Sequence, residues 1–216
     1  MKVVLLAATG EVGRCILREL HARGHMVTAV ARHPGKLPES VHAVFDDLGN
    51  ADRIADIIHG ADAVVSAFGP SKDDTRFFSD IRYTDQLVEV VTRTMAAVRK
   101  THVARLVVVG GVGSLWYAPG VTVLSSGRWP DTLVPIATSH MKTLAALRAS
   151  DINWTYFSPP MDIAPGKRTE IFRLGIDDLI VDAAGRSWIS TEDYACALVD
   201  ELEKPAHERA RFTIGY

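Results

Sequence analysis

Cysteine is scarce in this chain: only Cys15 and Cys196 occur among 216 residues, each inside a stretch with helical spacing. Two thiols placed this way make neither a disulfide framework nor a zinc cage. Charge of one sign is also missing. The formal net charge is −2, and lysines, arginines and carboxylates are interspersed, so no basic footprint for nucleic acid exists. No apolar run approaches the roughly 20 residues that span a bilayer, and the first is only a strand long, too short for a secretory leader. An unexported cytoplasmic protein with no nucleic-acid or membrane partner is expected.

A fourth absence concerns catalysis. A Tyr-x-x-x-Lys pair lets lysine lower the tyrosine pKa, so that the phenol can protonate a developing alkoxide. Four positions beyond Tyr83, Tyr117, Tyr156 and Tyr194 stand Leu87, Val121, Pro160 and Leu198, and Tyr216 has no residue four positions on. The pair is missing. His21 and His25 have the i, i+4 spacing of metal ligands, but Gly24 stops the helix between them, so no metal site is expected.

What is present is an alternation. Met1 to Ala7 is a continuous apolar run, and Val12, Ile16, Leu17 and Leu20 then recur at helical spacing until Gly24. Further strands are expected over Met26 to Ala31, Val41 to Phe45, "DAVVSAFG", "RLVVVGG", "NWTYFSPP" and "RFTIGY". Helices are expected around Ile54 to Ile58, over about Ile81 to Lys100, over about Thr138 to Ala149, and over Thr191 to Leu202 with Ser190 or Thr191 as cap. Repeated βα units with near-continuous Val/Leu strands predict an α/β fold: a Rossmann-type doubly wound, mostly parallel sheet with helices on both faces. One domain over 1–216 is expected, with a small substrate-side part from about 111–136 and 160–190. The first of these is an aromatic loop without period, and Ile163 to Asp182 reads as a polar hairpin.

"LLAATGEVGR", Leu5 to Arg14, falls at the first βα turn, where a doubly wound sheet holds a dinucleotide pyrophosphate on the helix N-terminus. Of the three glycines that such a turn normally carries, Gly10 and Gly13 are present and Ala7 stands at the first. Alanine is tolerable there while its φ stays negative. The turn residues Ala7, Thr9, Gly10, Glu11, Val12, Gly13 and Arg14 are therefore expected to bind the cofactor. An acidic residue about 20 positions beyond the turn would mark NAD. That place holds Ala31-Arg32-His33 with Lys36 nearby, and positive charge there favours the 2′-phosphate of NADP, with NAD as the alternative. Asp47 and Leu48 are expected at the adenine, and Ala67, Phe68 and Gly69 after the fourth strand let the backbone approach the cofactor.

The blocks "AATGEVGR", "ARHPGKL", "FDDL", "DAVVSAFG", "RLVVVGGVGSL", "WTYFSPP" and "STEDYACALVDELEKP" resemble the atypical short-chain dehydrogenase/reductases, within them the NmrA-like and NADH-flavin reductase proteins to which biliverdin-IXβ/flavin reductase is related. The resemblance runs over nearly the whole chain. It implies hydride transfer from NAD(P)H to a flavin, a quinone or a similar flat acceptor, chemistry that needs two rings held face to face more than a strong acid. It also leaves open a non-catalytic NAD(P)-binding sensor of the NmrA-like type and an isomerase or epimerase that retains its cofactor. Ser114 stands near the superfamily's catalytic serine, and Lys142 where the resemblance would put its lysine helix, although Thr138 replaces the tyrosine.

Ser158 and Pro159 are expected to wall the nicotinamide end of the pocket, and His140, at the start of the helix carrying Lys142, is a candidate proton donor. Trp116, Tyr117 and Trp129 are expected as an aromatic lid over a planar small-molecule substrate. A monomer or a homodimer is expected.

Overall fold

A computed structural model describes every residue except Pro34, Lys36 and Glu39, so the sequence expectation for Lys36 lies outside the described residues. Strand β1 (Lys2–Leu6) shows how the core is divided: Val4 and Leu6 point to one face of the sheet, Val3 and Leu5 to the other, and all four are buried. That alternation under a continuous apolar run is the pattern of a strand covered on both sides. Each such fully buried side chain contributes about 1.5–3 kcal/mol.

Seven further strands complete the main sheet: β2 (Met26–Ala31), β3 (His42–Phe45), β4 (Ala63–Ser66), β5 (Leu106–Val109), β8 (Trp154–Ser158), β10 (Arg173–Gly175) and β12 (Ala210–Gly215). Their order is β10-β12-β8-β5-β4-β1-β2-β3, parallel throughout except for the edge pair β10–β12. Helices α1 (Glu11–Ala22) and α6 (Thr191–Glu203) cover one face. Helices α2 (Ala51–Ile58), α4 (Gln86–Thr101) and α5 (Val134–Arg148) cover the other. This is a doubly wound Rossmann-like sheet. No helix among the described residues is long and apolar enough to cross a membrane.

Four local expectations are corrected. The helix expected over about Ile81 to Lys100 is two pieces, α3 (Ile81–Thr84) and α4, with Asp85 at the junction tied to α5 by bonds from Ser139 Oγ (2.7 Å) and Lys142 Nζ (2.6 Å). Helix α5 starts at Val134 rather than near Thr138, because Pro135 fits the first helical turn, where its missing N–H costs nothing. His140 is therefore in the second turn and not at the helix start. Residues 163–182 do not form a hairpin: β9 (Asp162–Ala164) pairs in parallel with β11 (Trp188–Ser190), while β10 joins the sheet edge. The stretch 111–136 is not without structure, since β6 (Trp116–Ala118) and β7 (Val121–Thr122) pair antiparallel within it. The α6 cap is Ser190, whose side chain accepts from Asp193 N.

Candidate cofactor cleft

The strand order reverses around β1, with β2 on one side and β4 on the other, and ligands of open α/β sheets bind beyond the strand ends at such a point. A cleft of about 1270 Å³ opens there. Its floor begins with the turn between β1 and α1. Ala7 takes φ +59°, the left-handed conformation, so the expectation that its φ stays negative is overturned. The cause is the chain reversal: Ala8 N–H donates to Val30 O and Gly10 N–H to Ala7 O, which leaves no other path. The same Ala7 carbonyl fixes Gly13, where a Cβ would lie 2.4 Å from the oxygen. Gly13 thus serves helix-to-strand packing beneath the cleft rather than its surface.

Gly10 is different. It is the N-cap of α1 with φ −65° and offers no capping side chain, and the nearest atom to a Cβ there would be Ala7 O at 3.4 Å. Its exposed face is left to the cleft. The first-turn N–H groups of α1 lack helical acceptors and carry the positive end of the helix dipole, which makes the turn a cradle for phosphate. Gly69, on the facing wall, likewise has open space where a Cβ would be. The backbone on both walls can approach a bound dinucleotide, so the residues present fit one.

At one end of the cleft Arg14, Arg32 and His33 gather, and neither arginine makes an ion pair among the described residues. Asp47 and Leu48 line this end as well. Buried Asp46, which the sequence reading passed over, receives Leu48 N–H at 2.7 Å and so holds the leucine in a left-handed turn with φ +62°. Asp47 Oδ1 takes the Gly49 N–H at 2.9 Å.

The far end combines an apolar group with the polar run from Ser71 to Thr75. Ala67, Phe68, Phe77, Tyr83 and Ile136 form its walls, and His140 its floor. Phe77, Tyr83 and Ile136 were not foreseen. Tyr83 sits on α3, whose N-cap is Asp80 and whose end is Asp85, while Phe77 comes from a 3-10 turn (Thr75–Phe78) and Ile136 from α5. Across the mouth, Lys72 Nζ lies 3.9 Å from Glu11 Oε2.

His140 has a dedicated seat. A Cβ on Gly111 would lie 2.5 Å from His140 Cγ, and one on Gly110 would lie 2.4 Å from Tyr156 Cε1, so the paired glycines make room for both rings. Burial pushes the His140 imidazole down to about 4, so it is neutral at neutral pH. Burial also holds the Tyr156 phenol above its usual range.

The other site expectations fall elsewhere. Ser114 Oγ accepts from Arg211 Nη1 at 2.7 Å and lines no part of the cleft. Lys142 is held by Asp85 on the outer side of α5. Ser158 is fully buried in β8, and Pro159 follows it outside the cleft. Trp129 packs with Val112, Leu115 and Val123, while Trp116 and Tyr117 lie exposed on β6. The aromatic residues facing the cleft are instead Phe68, Phe77 and Tyr83.

A family model described as NAD(P)H-binding matches residues 7–205. The chain belongs to the NAD(P)H-binding family. The uncharacterized protein YwnB of Bacillus subtilis is 35% identical over 218 residues, covering 99% of this chain and 98% of the relative. Among solved structures, a proposed epimerase from Bacteroides thetaiotaomicron is similar at 41% identity and TM-score 0.89, over 100% of this chain and 96% of that one. A proposed NADH-flavin reductase from Streptococcus pneumoniae is similar at 32% identity and TM-score 0.84, over 100% and 99%. These likenesses agree with the atypical short-chain dehydrogenase/reductase pattern, and membership of an NAD(P)H-binding family supports oxidoreductase-type activity.

Proposed function

We propose that the protein is an NADPH-dependent reductase that transfers hydride to a flat acceptor such as a flavin or quinone. The observation that carries this reading is the arrangement of the cleft: arginines with no ion pair among the described residues beside the β2 end, an anion cradle in the middle, and an aromatic group, Phe68, Phe77 and Tyr83, beyond β4. Bound NADPH supplies a hydride. The chain's own work is to position and to exclude water. Arg14 and Arg32 hold a 2′-phosphate, the α1 N-terminus holds the pyrophosphate, and Phe68, Phe77 and Tyr83 wall a planar ring against solvent. The chain has no Tyr-x-x-x-Lys pair, which suits an acceptor ring that delocalises the incoming charge and takes its proton from solvent after release. Small-molecule binding as a monomer or homodimer in the cytoplasm completes the reading.

The test is NADPH oxidation by the purified protein with FMN, riboflavin and a quinone. Turnover that falls on Arg32→Glu while NADH turnover is kept or gains supports the reductase and the phosphate assignment together. NADPH binding without oxidation by any acceptor points to a sensor. The 41%-identical proposed epimerase favours a second reading, isomerisation with retained cofactor. Its mark would be substrate conversion with no net change in NADPH absorbance.

A further inference from the structure

The hydrogen bonds around Tyr156 decide which nitrogen of His140 faces the cleft. The phenol oxygen has three neighbours: Gly111 N at 2.9 Å, His140 O at 3.0 Å and His140 Nδ1 at 3.2 Å. An amide N–H only donates, so the phenol accepts from Gly111. A carbonyl only accepts, so the single phenol proton goes to His140 O, the closer of the two remaining partners. One lone pair is left on the phenol oxygen. The Nδ1 contact is attractive only if Nδ1 carries the imidazole proton and donates to that lone pair. The ring is neutral, so Nε2 is then bare. It makes no hydrogen bond among the described residues and is not among the buried polar atoms left without partners there, so it stands open to the cleft.

We propose that Tyr156 locks His140 as the Nδ1–H tautomer, so that Nε2 is a fixed hydrogen-bond acceptor selecting a ligand that presents an amide-type N–H at the cleft floor. Two ligand groups have that chemistry: the imide N–H of a flavin ring and the carboxamide N–H of nicotinamide. A quinone, which carries carbonyls alone, has none. This deepens the reductase reading and rests on it for the acceptor, while the tautomer stands on the protein's own geometry. On this proposal His140 receives a hydrogen bond from the ligand, where the sequence suggested a proton donor.

The first test is ¹⁵N NMR of the labelled protein, with His140 assigned by its loss in His140→Gln. The expected signals are a protonated Nδ1 and an unprotonated Nε2, with the Nε2–H form appearing in Tyr156→Phe. A wild-type spectrum showing Nε2–H overturns the proposal. The second test compares riboflavin with 3-methylriboflavin by fluorescence titration, alongside NADPH, on wild type and His140→Phe. Where the flavin imide is the donor, methylation weakens binding about 10-fold in wild type and not in the variant. Where the carboxamide is the donor, His140→Phe weakens NADPH about 10-fold and leaves flavin discrimination unchanged. Unchanged affinity for both ligands contradicts the selecting role. Absence of NADPH oxidation would remove the reductase reading but leave the NMR result to decide the tautomer.

Discussion

The carbonyl of Ala7 would lie 2.4 Å from a Cβ on Gly13, so one oxygen of the turn dictates the residue that begins the packing of α1 on the sheet. Gly13→Ala must push the helix away from β1. The expected result is a loss of NADPH affinity of more than about 10-fold with a lowered Tm. Gly10→Ala separates the two roles, since its Cβ meets only Ala7 O, at 3.4 Å, and otherwise projects toward ligand space. Its Tm should stay near wild type while NADPH affinity falls. Titration and a thermal melt on both variants check the pair.

Ala7 itself carries strain. A left-handed alanine costs about 1 kcal/mol or more, and glycine adopts φ +59° freely. Ala7→Gly should therefore raise stability by about 1 kcal/mol, read from urea unfolding, and should leave the phosphate cradle intact. Lowered stability would mean that the alanine methyl packs usefully.

The fold and the cleft lining around the first βα turn were legible in the sequence, because both rest on local patterns. Buried parallel strands read as continuous apolar runs, and Gly10, Gly13 and Arg32 follow a turn whose geometry is set within a few residues. The cleft lining beyond β4 and β5 was not. Ser114, Lys142, Ser158 and Trp129 stood near the right strand ends, but their partners are remote in sequence: Arg211 captures Ser114, and Asp85 captures Lys142. Tyr83 lies on the short α3, which the break at Asp85 separates from α4, and Phe77 lies on a 3-10 turn before it, neither of which the helical spacing showed. Ala7 shows a different limit, since its φ is set by the bonds Ala8 N–H to Val30 O and Gly10 N–H to Ala7 O rather than by its own preference.

Acid should weaken the fold through His140. Burial holds its pKa at about 4 against an ordinary 6.5, so between those values the unfolded chain takes up a proton that the folded one refuses. Stability then falls as pH drops from about 6.5 toward 4. His140→Gln, which carries no titrating ring, should show a flatter Tm profile across that window. Parallel profiles for the two proteins would contradict a folded-state imidazole held neutral at the cleft floor.

At the opposite end of the sheet, Arg105 and Glu201 form a buried ion pair, with His207 Nδ1 2.8 Å from the same carboxylate. Burial pushes the Glu201 carboxyl up, but the bonds from His207 and Arg105 outweigh it and hold the pKa below the ordinary glutamate value. Its stabilisation is present above the ordinary glutamate range and is lost as pH falls through the lowered value. Glu201→Gln leaves Arg105 buried without a counter-charge and should cost about 3–5 kcal/mol. NADPH affinity at 10 °C should be unchanged, because the pair lies far from the cleft lining.

The cleft's assignment to a 2′-phosphorylated dinucleotide is tested most directly by calorimetric titration of NADPH and NADH into wild type and Arg32→Glu. Wild type should bind NADPH more tightly than NADH. The variant should lose that preference by about 10-fold or more while keeping NADH, as the removal of one charge-assisted phosphate contact requires. Equal affinities in wild type, or a preference unmoved by Arg32→Glu, would contradict the assignment.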